Sequence, residues 1–212
     1  MHHLIRGIHA FRAGYFATNR PLFQRLADDG QDPVAALLTC ADSRVVPSLM
    51  TDTAPGELFV VRNAGNIVPP HEPGTTGGEA ASLEYAVEAL GVRDVIVCGH
   101  TGCGAIAAVL DPQSARGTEL VGGWVDHAAR TREIIAADYA TLAGDERLTA
   151  AVEENVLVQL EHLRGYPFIE RRLGQQDFAL HGWVYDLSTG EVFAYDPASE
   201  DFLPLAETAD AH

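Results

Sequence analysis

The stretch Arg93-Asp94-Val95-Ile96-Val97-Cys98-Gly99-His100-Thr101-Gly102-Cys103-Gly104 decides the fold. Its first eight residues, RDVIVCGH, form an apolar run rich in β-branched side chains, which predicts a strand buried on both faces. A glycine-flanked turn follows at once, and Ala105 to Leu110 reads as a helix. Working backwards, Gly77 and Gly78 open a helical segment through Leu90, and Gly91 is placed to end it. Earlier still, VAALLTC (Val34 to Cys40) and GELFVVRN (Gly56 to Asn63) read as two further strands buried on both faces. Strand and helix alternate, so the fold class is α/β, with a mainly parallel central sheet flanked by helices.

Outward from this centre, Leu4, Ile8, Phe11 and Tyr15 recur at helical spacing and predict an amphipathic helix from about His3 to Thr18. Pro21 suits the first turn of a second short helix ending near Gly30, so residues 1–30 form an amino-terminal helical arm. The region from Gly123 to Arg172 is helical in character, with interruptions near Gly144 and Gly165. FALHGWVYD (Phe178 to Asp186) and EVFAYD (Glu191 to Asp196) flank Leu187-Ser188-Thr189-Gly190, which predicts a carboxyl-terminal hairpin. Residues 197–212 read as a loosely held tail, and the whole chain, 1–212, as a single domain.

Composition narrows the function. Hydrophobic residues make up 47% and charged residues 21%, a globular balance. Lys and Arg total 14 against 30 Asp and Glu, a formal charge of -16 that repels phosphate backbones and anionic lipid. Nucleic-acid and membrane partners are therefore not expected. No apolar run approaches the ~20 residues that span a bilayer, and the amino terminus carries no secretory pattern. Cys40, Cys98 and Cys103 are an odd count in a chain large enough to fold without staples. They argue for metal or thiol chemistry in a reducing compartment, the cytoplasm, rather than for a disulfide framework.

Cys40 ends one predicted strand, while His100 and Cys103 follow the end of another. Open parallel sheets collect ligands beyond the carboxyl ends of their strands, so these three side chains can converge. Two thiolates and an imidazole suit zinc, and three protein ligands leave a position for water, as catalytic sites do. Cys98 lies within the strand and reads as a buried core thiol. Each ligand taken singly is no more than a small buried residue. Their company matters: in Cys40-Ala41-Asp42-Ser43-Arg44 a carboxylate and a guanidinium sit just behind the first cysteine, where an arginine could hold the carboxylate through a charge-assisted pair. The bland alternative is a solvated surface ion pair.

CADSR (Cys40 to Arg44), GELFVVRNAGN (Gly56 to Asn66), EYAV (Glu84 to Val87) and CGHTGCG (Cys98 to Gly104) together resemble a β-class carbonic anhydrase. The likeness is dense from about Gln31 to Leu110 and weaker outside it, although the hairpin also resembles bacterial and cyanobacterial members. The resemblance implies one Zn2+ per subunit at Cys40, His100 and Cys103, with Asp42 and Arg44 as a catalytic dyad. It implies reversible hydration of carbon dioxide to bicarbonate by attack of zinc-bound hydroxide. Two thiolates nearly cancel the charge of Zn2+, which should acidify water less than three imidazoles would and favour alkaline pH.

The likeness extends to a subclass. Gln31, Phe59, Tyr85 and Gly104 match substrate-pocket positions of plant-type, open-site members, although Ala64 stands where those carry a larger aliphatic residue. The other subclass has a regulatory tryptophan where this chain has Leu37. Without the resemblance, Phe59 and Tyr85 read as core and Gln31 as a surface turn. In related enzymes the first helix lies across a partner subunit and the pocket is completed at the interface, so a homodimer or higher homo-oligomer is expected. Two rival readings stand beside this one: a carbon disulfide or carbonyl sulfide hydrolase on the same fold, and a non-catalytic zinc-thiolate sensor. The sensor would need an exposed reactive thiolate whose oxidation ejects zinc, and the Asp42–Arg44 pair and Gln31 count against it because a sensor has no use for them. His127, His162 and His181 have no assigned role.

Overall fold

The computed structural model describes residues 1–74, 76–115, 117–175 and 177–205. Helices α1 (His2–Ala13), α2 (Tyr15–Thr18) and α3 (Arg20–Asp29) form the arm. They are followed by β1 (Ala35–Cys40), α4 (Pro47–Met50), β2 (Leu58–Asn63) and a short 3-10 turn at Ala64–Asn66. Helix α5 (Gly78–Glu84) runs on as a π turn, Tyr85–Ala89, into β3 (Asp94–His100) and α6 (Gly104–Leu110). Then come α7 (Glu119–Val125), α8 (Ala129–Asp138), α9 (Gly144–Arg164), α10 (Pro167–Leu173), and strands β4 (Ala179–Tyr185), β5 (Val192–Asp196) and β6 (Asp201–Pro204).

The sheet has the order β2-β1-β3-β4-β5-β6. Its first four strands are parallel, and β5 and β6 return antiparallel. Strand β1 is buried along its whole length, as two-sided coverage by helices requires of a central parallel strand. Register places Thr39 opposite Cys98, so β1 and β3 end together at the same sheet edge. Helix α9 backs β3 and β4 closely: a Cβ at Gly99 would lie 2.9 Å from Val152, and one at Gly182 equally near Val156. Only glycine permits that approach.

Two expectations are corrected. Strand β2 is not buried on both faces: among its residues only Val61 is buried and Val60 is 40% exposed, because β2 is the edge of the sheet. Nor is the chain after Pro197 wholly loose. Asp196 accepts hydrogen bonds from the Ala198 amide and the Ser199 hydroxyl, turning the chain so that β6 pairs with β5. Residues 206–212 of the expected tail lie outside the described residues. The arm is helical as expected but breaks at Gly14, and α1 buries none of its residues.

Candidate metal centre

Strand β1 delivers Cys40 and its neighbour β3 delivers His100, both at their carboxyl ends. The turn Thr101-Gly102 then reverses the chain, with Gly102 in the left-handed region at φ +66, and sets Cys103 at the mouth of α6. The ligand atoms of Cys40, His100 and Cys103 lie within 4.8 Å of one another, and all three residues are buried. The two sulfurs are 3.8 Å apart.

Three observations test whether this cluster suits a cation. The Nδ1 of His100 lies 2.9 Å from the Thr101 carbonyl, so Nδ1 carries the proton and Nε2 keeps its lone pair. That Nε2 is buried and has no hydrogen-bond partner among the described residues, an arrangement that metal ligation would satisfy. The sulfurs supply the third. Hydrogen bonding from Cys103 pulls Cys40 down to about 4, whereas the proximity of Cys40 and burial push Cys103 up. The opposite directions have one cause, since a buried pair at this distance shares a single proton. A cation between the sulfurs would let both ionise, and the donor set S, S, N is the kind zinc takes.

Asp42 stands over the cluster, its Oδ2 3.9 Å from His100 Nε2, too far for a hydrogen bond. Arg44 grips it through Nε to Oδ1 at 2.9 Å and Nη2 to Oδ2 at 2.7 Å, with the Arg44 amide adding a bond to Oδ1 at 3.0 Å. This fork holds the carboxyl well below the usual carboxylate range, so Asp42 is an acceptor only. Arg44 also donates to the Gly102 carbonyl, tying the dyad to the His100–Cys103 turn.

The remaining sequence-predicted residues divide. Gly104 adjoins Cys103 at the first turn of α6. Gln31, Phe59 and Tyr85 are not brought to this cluster. Phe59 pairs with Ala36 near the start of β1, its ring 6.2 Å from that of Tyr85, and Gln31 precedes the strand altogether. Phe59 thus lies about 13 Å along the sheet from Cys40. Tyr85 is 51% exposed, so it lines no dry pocket within its own chain.

Residues not singled out from the sequence also shape the centre. Arg62 donates to the carbonyls of Cys40 and Asp42 and locks the backbone between ligand and dyad. The Gly65 amide donates to the Cys40 sulfur at 3.3 Å. Arg62 and Gly65 lie inside the quoted GELFVVRNAGN motif, which was the available signal.

The fold and the cluster define a class: an α/β protein with a buried Cys-His-Cys group and an arginine-clamped carboxylate at the carboxyl edge of a parallel sheet. The profile of the family described as carbonic anhydrase matches residues 35–192. A carbonic anhydrase of Synechocystis is 45% identical over 96% of this chain and 74% of its own. The solved β-carbonic anhydrase CcaA superposes with a TM-score of 0.93 at 44% identity, covering 97% of this chain and 99% of that one. A tetrameric β-carbonic anhydrase of Sordaria macrospora superposes at 0.81 with 27% identity, over 91% and 95% of the two chains. The chain belongs to the β-class carbonic anhydrases.

Proposed function

We propose that the protein catalyses reversible hydration of carbon dioxide to bicarbonate and a proton, with one Zn2+ per subunit held by Cys40, His100 and Cys103. The observation that carries this reading is the unpartnered His100 Nε2 facing two sulfurs 3.8 Å apart, beside a carboxylate clamped by arginine. Zinc there would supply a Lewis acid that makes water nucleophilic near neutral pH.

The chain's own residues do the rest. Asp42, kept ionised and acceptor-only by Arg44, accepts a hydrogen bond from the attacking water and orients its lone pair toward the carbon of CO2. Arg44 fills both carboxylate oxygens and so keeps Asp42 out of the ligand set, the open-site arrangement. Apolar burial around Cys40 and Cys103 favours an uncharged gas over ions.

Gln31, Phe59 and Tyr85 act in a neighbour's site. Leu4, Ile8 and Leu49 are 64%, 65% and 80% exposed, and covering such side chains contributes on the order of 1.5–3 kcal/mol each. A homodimer joined through the arm would cover them and could set Gln31 of one chain near the metal cluster of the other, where its amide would donate to a substrate oxygen. The chain acts as one catalytic domain, in the cytoplasm. Among the described residues no helix is long and apolar enough to cross a membrane.

The test is CO2 hydration across pH on protein of known zinc content, with carbon disulfide and carbonyl sulfide assayed in parallel. Hydration should track zinc. Full activity in metal-free protein, or faster turnover of the sulfur compounds, overturns the reading.

A further inference from the structure

Helix α9 carries a line of polar side chains on a face that is otherwise core. Asn155, Gln159 and His162, with Tyr166 just beyond the helix, follow one another at the spacing of a single helical stripe. All four hydrogen-bond to the backbone of one short segment, residues 65–69. Asn155 Nδ2 donates to the Gly65 carbonyl at 3.1 Å, and the Val68 amide donates to Gln159 Oε1 at 2.8 Å. His162 Nδ1 donates to the Val68 carbonyl at 2.7 Å, and the Tyr166 hydroxyl to the Pro69 carbonyl at 2.8 Å. Behind them, Asn155 Oδ1 accepts from Gln159 Nε2 at 2.9 Å and from the Thr131 hydroxyl on α8. From the opposite side Trp124 Nε1 donates to the Ala64 carbonyl at 2.7 Å.

Stability alone does not account for this network. Thr131, Asn155 and Gln159 are at most 1% exposed, and apolar groups of similar shape could fill such space with little loss. What the network holds is particular. Gly65 and Asn66 both sit in the left-handed region, at φ +80 and +48, and a Cβ on Gly65 would meet Ala105. This conformation aims the Gly65 amide at the Cys40 sulfur. An N–H donated to a thiolate draws charge from it and fixes its lone-pair direction, and partners of this kind tune metal affinity.

We propose that Asn155 is a positioning residue for the metal-binding sulfur of Cys40: by gripping the Gly65 carbonyl it fixes the rotation at Gly65 and, together with Trp124 on the Ala64 carbonyl, the orientation of the adjoining Ala64–Gly65 peptide plane that carries the N–H···S bond. This rests on the metal reading above and adds a means by which helix α9, remote from the substrate, sets the donor strength of one ligand.

Cobalt(II) in place of zinc gives a sulfur-to-metal charge-transfer band that reports the energy of the sulfur electrons. Asn155→Leu should move that band to lower energy and weaken zinc, measured by chelator competition, by about 10–100-fold. Thr131→Val, which cuts the network without touching Gly65, should leave the band in place. A folded Asn155→Leu protein with an unmoved band overturns the proposal. Should that variant not fold, Asn155→Ser, which also removes the Nδ2 donor to Gly65, decides: a shift in the same direction upholds the proposal and an unchanged band overturns it. If the unaltered protein shows no such band when given cobalt, the metal reading fails as well, an outcome distinct from failure of Asn155 alone.

Discussion

The two faces of the sheet are furnished differently. On one face Ala36, Leu38, Val95 and Val97 pack with Cys40, Cys103 and the buried sides of α5, α6, α9 and α10 into a continuous core. On the other, Ala35, Leu37, Ile96 and Cys98 form a small cluster with Met50, Leu58, Trp183 and Tyr185, beyond which Leu49, Val60 and Tyr15 remain exposed. The first face is finished within the chain, and the proposed metal cluster is part of it. The second carries exposed apolar surface, shared with Tyr15 of the arm, that the chain itself does not cover, whereas Phe59, paired with Ala36, packs on the first. One face thus organises ligands by burial, and the other offers surface for assembly.

The sharpest break in this contrast is Cys40→Ser. It should cost more zinc affinity than the roughly 10–100-fold typical of changing a ligand's hydrogen-bond partner, and activity should fall in proportion to metal content, read by metal analysis alongside CO2 hydration. The fold should persist, because the core around Cys40 is otherwise intact. Retained stoichiometric zinc would remove Cys40 from the ligand set.

Asp42→Asn tests the same face more gently. The amide is nearly isosteric but cannot stay an ionised acceptor under Arg44, so turnover should fall about 100-fold while zinc stays bound. An unchanged rate at full zinc occupancy would leave Asp42 with a structural part only.

Sharing of a site between chains is tested by mixing variants. Gln31→Leu should lower kcat/KM by roughly 3–10-fold, the worth of one hydrogen bond, and Cys40→Ser chains alone should be nearly inactive. If Gln31 serves a neighbour, a mixed dimer of the two variants contains one site with both groups intact. Its activity should exceed the average of the two homodimers. An average alone would mean that Gln31 does not serve its neighbour's site.

What the sequence disclosed follows from this same division. The strand runs VAALLTC and RDVIVCGH, and the cysteines at their ends, are short-range patterns, and parallel register makes the ends coincide, so the metal cluster was legible from spacing. Edge position is not local: nothing in LFVVRN distinguishes an outer strand from an inner one, and β2 was read as buried for that reason. The strand β6 was missed because DFLP is short and ends in proline, which an edge tolerates. Asn155 and Gln159 escaped because a polar residue on an amphipathic helix reads as solvent-facing until the partner segment, about ninety residues away, is known. Gln31, Phe59 and Tyr85 were matched by resemblance, and no local pattern says which chain's site they would serve.

The smallest predicted effect concerns Cys98, which lies on the less furnished face yet is fully buried. Desolvation pushes its thiol up to about 12. The folded chain therefore keeps a proton that the unfolded chain releases near the ordinary thiol value of about 8.5. Below that value the thiol's contribution to stability is fully present; as pH rises toward 12 the unfolded state binds fewer protons and stability declines. The slope approaches ~1.4 kcal/mol per pH unit for this one group. Cys98→Ala removes the titration at a cost of about 1 kcal/mol at neutral pH. Urea midpoints of the two proteins should accordingly meet at about pH 9 and cross, the variant being the more stable by roughly 2 kcal/mol at about pH 11. Parallel curves would mean that water reaches this thiol, and that the second face is covered less well than the burial of Leu37 and Cys98 indicates.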